Sequence, residues 1–307
     1  MRCQLSLSLA LCLTALSSCG LTAPGAQTPD GLTPFEGGKF EASGAAAVSG
    51  AEGVLFVDNG RGGEVFWMGL DRAGRQAGAI KPVALGVGIE DLEGMTTDGT
   101  YFYAVSSQSR PKAIAKEGLV RFKFDARGQK AEAVESVGGL KKFLVENVEE
   151  LRGEGDRKGK DGGINIEGLA WDERRGRLLL GLRSPIVDGR ALLVPLRLRD
   201  PRGAFAADNL EVEGSRAIRL PLGGAGVRGI EYDGRAKVFR IITGAAEDQP
   251  QTDFRLWEWN GDEGQPAPRE TKKFAPELKP EGVARVVVGD RAFTLVLFDA
   301  GGYAVLD

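Results

Sequence analysis

The 307 residues carry 40 lysines and arginines against 43 aspartates and glutamates, so the formal charge is only −3 and no basic footprint for nucleic acid is present. There is no histidine, which excludes Ser-His-Asp and Cys-His nucleophilic sites, histidine-ligated zinc and histidine general bases. The three cysteines, Cys3, Cys12 and Cys19, all lie near the N-terminus, leaving the rest of the chain no pair to oxidise.

In chain order, Arg2 supplies a positive start, and Leu5, Leu7, Leu9, Leu11, Leu13 and Leu16 form an apolar stretch too short to span a bilayer. Leu16-Ser17-Ser18-Cys19-Gly20 resembles the lipobox of bacterial lipoproteins: an aliphatic residue and two small ones before the cysteine that is acylated. Residues 1–18 are therefore expected to be an export signal. Cys19 becomes the lipidated first residue of the mature protein, anchored on the extracytoplasmic side, at the outer membrane if the cell has two. Residues 19–34, rich in Pro, Gly, Thr and Ala, read as a flexible tether. Residues 35–307 read as one domain, long enough to depend on its own core without disulfides and expected to be monomeric.

That domain consists of short apolar runs punctuated by Gly, Asp and Asn turns, the pattern of an all-β chain. Val54–Val57, Val65–Met68, Tyr101–Val105, Leu178–Leu180, Val238–Ile242, Leu256–Trp259 and Phe293–Leu297 are its clearest strands. Leu92-Glu93-Gly94-Met95-Thr96, Ile166-Glu167-Gly168-Leu169-Ala170 and Pro280-Glu281-Gly282-Val283-Ala284 repeat one pattern, with weaker copies at Ser43-Gly44-Ala45-Ala46 and Arg228-Gly229-Ile230-Glu231. The glycines at 44, 94, 168, 229 and 282 are 50, 74, 61 and 53 residues apart, near the length of a four-stranded propeller blade. The spacing predicts a β-propeller of five blades, with six as the alternative. The last blade shows only three strands and would be closed by an N-terminal strand, Gly38-Lys39-Phe40-Glu41. Between blades two and three, Leu140, Phe143, Leu144, Val148 and Leu151 predict a short amphipathic helix within an insertion at about 139–163, either a decoration or a lid.

The run Asn165-Ile166-Glu167-Gly168-Leu169-Ala170-Trp171, with Leu180-Gly181-Leu182-Arg183-Ser184-Pro185, Gly189-Arg190-Ala191-Leu192-Leu193 and Gly229-Ile230-Glu231-Tyr232, resembles the propeller proteins of domain of unknown function 3616. The likeness extends loosely over residues 45–300. It implies a propeller fold, while its glutamate-glycine units also occur in phytase-like and esterase-like propellers. Where a histidine is expected in relatives, this chain has Ser106-Ser107-Gln108-Ser109-Arg110, so the resemblance implies no histidine-dependent reaction.

Antiparallel blade strands bring the start of each first strand and the end of each second strand to one mouth of the ring. That places Glu93, Glu167 and Glu281 there with Asp58, Asn59, Arg110, Arg183, Glu247 and Asp299. Two functions fit. In one, the mouth binds a ligand or an envelope protein, with Arg110 and Arg183 offering planar donors to carboxylate or phosphate. In the other, Glu93, Glu167 and Glu281 hold Ca²⁺ for ester or phosphoester hydrolysis. Each glutamate is equally suited to accept hydrogen bonds between blades or to pair an arginine, and Arg183 is equally suited to a structural ion pair.

Overall fold

A computed structural model describes residues 31–110, 114–247, 249 and 253–306; the proposed signal, Cys19 and most of the tether lie outside them. The described residues form five sheets in sequence order, each wound outward from an inner strand. The inner strands are Ala42–Ala47, Leu92–Thr97, Asn165–Asp172, Gly226–Asp233 and Pro280–Val288. Each pairs antiparallel with the next strand in sequence, giving a five-bladed β-propeller.

Period-2 patterning alone would give each sheet one apolar face, but a blade is covered on both faces, so its strands are apolar nearly throughout. In Gly53–Asp58, Val54 and Phe56 face blade five while Leu55 and Val57 face blade two. The buried residues accordingly fall into five clusters, one between each pair of neighbouring blades. The ring has no central apolar core.

The repeat glycines let the inner strands approach. A Cβ on Gly94 would lie 2.8 Å from the Leu169 Cβ, and one on Gly168 would lie 2.8 Å from Val227 Cγ1. Gly44, Gly229 and Gly282 similarly abut the backbone of the next inner strand, Gly282 meeting Ser43 and so closing the circle.

The N-terminus does close blade five, but with a different segment from the expected one. Thr33–Pro34 pairs with Gly302–Leu306, Thr33 opposite Tyr303 and Pro34 opposite Gly302. The tether boundary at 34 is therefore corrected: the last two of its residues belong to the sheet. Pro34 lacks an N–H and suits an edge. Gly38-Lys39-Phe40-Glu41 is no strand, because Phe40 is drawn into the core, its ring 5.2 Å from that of Phe66 and 5.6 Å from that of Phe56. Gln76 links the two blades beside this closure, its N–H donating to Tyr303 Oη (2.7 Å) and its Nε2 to the Glu36 carbonyl (3.0 Å).

The helix forms at Leu140–Asn147. Leu140, Leu144, Val148 and Leu151 are fully buried against Leu119, Val137 and Leu192, so the apolar stripe belongs to the core between blades two and three. Lys141 Nζ donates to the Arg157 carbonyl and its N–H to Gln108 Oε1, both at 3.0 Å, tying the insertion to blade two.

Candidate functional site

Every inner strand breaks register with its neighbour at the residue before the repeat glycine. In blades two to five that residue is the extra one of a β-bulge, and in blade one Ser43 and Gly44 together oppose Val57. A bulge leaves the extra residue outside the ladder and re-aims its side chain. Five bulges at one level of a closed ring produce a ring of side chains: Ser43, Glu93, Glu167, Arg228 and Glu281. All are at most 8% exposed.

These groups interlock. Ser43 Oγ lies 2.8 Å from Glu93 Oε2 and 2.6 Å from Glu281 Oε2. Arg228 pairs through Nη2 with Glu281 Oε1 and through Nε, at 3.0 Å, with Glu167 Oε2. Arg183 Nη1 bridges Glu167 Oε1 (3.0 Å) and Glu247 Oε1 (2.9 Å), and its Nε donates to the Ala245 carbonyl at 2.9 Å. Asn165 Nδ2 donates to the same two carboxylates, at 3.1 and 3.2 Å.

Above the ring opens a polar cavity of about 460 Å³. Its wall holds six carboxyl groups, of Asp91, Glu93, Glu167, Glu247, Glu281 and Asp299, against three cations, Arg183, Arg228 and Lys279. Lys279 is matched by Asp299 at 3.1 Å. Glu93 has no cation of its own: burial, then Glu167 and Asp91, push its carboxyl well above the usual glutamate range. Burial also lowers the Arg228 guanidinium, which Glu167 helps to keep charged. Asn165 is 3% exposed, and its Oδ1 has no hydrogen-bond partner among the described residues.

Of the residues placed at the mouth from sequence, Glu93, Glu167, Glu281, Arg183, Glu247, Asn59 and Asp299 line the cavity. Arg110 does not: its Nε turns to Glu117 (3.0 Å) and Asp91 (3.2 Å), neutralising a buried carboxylate. Asp58 also lies off the wall, holding a turn through the N–H groups of Gly60 (3.0 Å) and Glu41 (3.3 Å). Arg110 and Arg183 direct donors at the protein's own carboxylates, which corrects the anion-binding expectation and, for Arg183, agrees with its alternative of a structural ion pair. Calcium on Glu93, Glu167 and Glu281 is corrected too. Arg228 and Ser43 stand between those carboxyls, and no group of three acids that could hold a metal occurs among the described residues. Ser184 is fully buried and donates to the Gly163 carbonyl at 2.6 Å.

Arg228, Ser43 and Asn165 were missed as site residues. The signal for the first two was the repeat itself: aligned on its glycines, positions 43, 93, 167, 228 and 281 read Ser, Glu, Glu, Arg, Glu. Glu247 was placed at the mouth from its position after a second strand, and the blade brings it beside Arg183.

The family model for proteins of unknown function (DUF3616) matches residues 139–301. No curated protein matches the chain. Among solved structures, the holo form of the pyranose dehydrogenase PQQ domain from Coprinopsis cinerea is 12% identical, with 92% of this chain and 98% of that one covered at a TM-score of 0.47. The soluble aldose sugar dehydrogenase from Escherichia coli, in the apo-form, is 13% identical, with 89% and 97% covered and a TM-score of 0.45. A luciferin-regenerating enzyme is 11% identical, with 90% and 80% covered and a TM-score of 0.42. Likeness at this level carries nothing about chemistry.

Proposed function

The chain belongs to the DUF3616 family, and from that premise we propose that it is a ligand-binding propeller whose channel mouth takes a small molecule rich in hydroxyl or ammonium donors. The cavity wall carries the reading. Acids outnumber cations six to three there, and the Asn165 carbonyl oxygen lacks a donor. A carboxylate or phosphate would meet this excess of acid, whereas an ammonium or a polyol would complete it. The likeness of residues 16–20 to a lipobox supports the further reading that the domain is exported and held beside a membrane by acylation of Cys19.

A thermal-shift series tests the binding reading with three small probes: glucosamine, 1,4-diaminobutane and succinate. A ligand at a hundred times its Kd stabilises the fold by about 2.7 kcal/mol. An amine probe is expected to raise the Tm, with the shift lost in Glu247→Gln, and succinate to leave it unchanged. A shift with succinate alone, or with none of the three, overturns the donor-rich assignment. Calcium chloride is expected to leave the Tm where it is.

A further inference from the structure

Ser43 has one hydroxyl hydrogen, yet its Oγ sits within hydrogen-bond distance of two carboxyl groups. Were both ionised, one carboxylate oxygen would face an oxygen lone pair with no hydrogen between them. A second proton must therefore lie on one of the two carboxyls. Glu281 is the ionised member, because its other oxygen is paired with the buried Arg228 guanidinium. The hydrogen of Ser43 then points to Glu281, and the second proton lies on Glu93, whose Oε2 donates to Ser43. The charged groups around Glu93 agree: Asp91 from its own blade, Glu167 from blade three and, across Ser43, Glu281 from blade five are acids, against Arg228 from blade four, engaged by Glu167 and Glu281, and Arg183 from blade three, engaged by Glu167 and Glu247.

We propose that Glu93, Ser43 and Glu281 form a one-proton donor site at the cavity wall, in which Glu93 is a neutral carboxylic acid able to protonate a weakly basic oxygen or nitrogen of a bound ligand. The balance is simple. The Glu93 O–H bond breaks, the proton joins the lone pair of the ligand, and Glu93 is left as a carboxylate. The single Ser43 hydrogen stays with Glu281, and the new Glu93 carboxylate is matched by the positive charge that the proton gives the ligand. Glu93 and Glu281 both line the cavity, with Ser43 buried behind them. The donor role rests on the cavity being the ligand site; the location of the proton does not.

Infrared spectroscopy of the purified full-length protein at neutral pH reads the proton directly, without a ligand. The wild-type minus Glu93→Gln difference spectrum is expected to contain the carbonyl stretch of a protonated carboxylic acid, and an empty difference spectrum overturns the assignment. The stability of the variants separates the two glutamates. An amide at 93 still donates to Ser43, so Glu93→Gln keeps a Tm close to wild type. Glu281→Gln deprives buried Arg228 of a counter-charge and lowers the Tm by roughly 6 °C or more. The reverse order of stability places the proton on Glu281 and refutes the proposal. Failure of every thermal-shift probe would leave the infrared result standing, so the two readings fail separately.

Discussion

Arg228, 7% exposed, reaches Glu281 with one guanidinium nitrogen and Glu167 with another, so a single cation serves two of the three ring glutamates. Glu93 is left with a hydroxyl, and it keeps its proton where the unfolded chain would release it. This contribution to stability is complete below the ordinary glutamate pKa. It is lost as pH rises through the higher folded value, because over that window the folded state binds more protons than the unfolded one. Glu93→Gln removes the loss. Its stability relative to wild type should therefore increase with pH above the ordinary carboxylate range, as read from urea midpoints at a series of pH values; parallel profiles would contradict the burial of a neutral Glu93. Glutamate at 93, 167 and 281 was legible in the repeat, and pairing with an arginine was among its readings, but the bonds of Ser43 and Arg228 were not. One counter-charge, Arg228, came from a copy of the repeat that holds arginine in place of glutamate, and the other, Arg183, from the second strand of blade three.

The bulge and the glycine act as one element. The bulge turns a side chain into the channel, and the glycine behind it lets the next inner strand close the ring. Gly94→Ala would set its Cβ 2.8 Å from the Leu169 Cβ and 3.0 Å from the Gly168 carbonyl carbon, so blades two and three must separate. A loss of about 1–3 kcal/mol is expected from urea denaturation. Gly88→Ala, at an exposed position with nothing within 4 Å, should be neutral or gain up to about 1 kcal/mol. The closing strand offers a second comparison. Truncation to begin at Gly31 retains Thr33–Pro34, whereas truncation to begin at Phe35 uncovers the edge at Gly302–Leu306 and should lower the Tm. Equal melting temperatures would show that the edge needs no partner. The run Gly38–Glu41 resembled a strand because Lys39, Phe40 and Glu41 alternate polar and apolar, a pattern that a loop anchored by one buried aromatic shares.

At the scale of the molecule, five apolar clusters between blades replace a single core, and each blade depends on two neighbours. The ring can then be hollow and polar at its axis, where buried charges meet in pairs. The proposed anchoring is independent of that architecture. Cys19→Ser should move the full-length protein from the detergent phase to the aqueous phase in a phase-partition assay, because no other thiol stands at the proposed cleavage point. Retention in the detergent phase would contradict acylation at Cys19.

Repeat spacing and turn residues were enough, from sequence, for the propeller, its five blades, the level of the glutamates and the helix at Leu140–Asn147. These are local properties: a glycine's close approach, a strand's alternation and a helix's stripe are written in consecutive residues. The pairing of charges belongs to the tertiary structure alone. Ser43 and Glu281 stand 238 positions apart, and only closure of the ring brings them to one hydroxyl's reach. Closure likewise set Arg228 between Glu167 and Glu281, turning an apparent acidic metal cage into an ion-paired wall with one neutral acid.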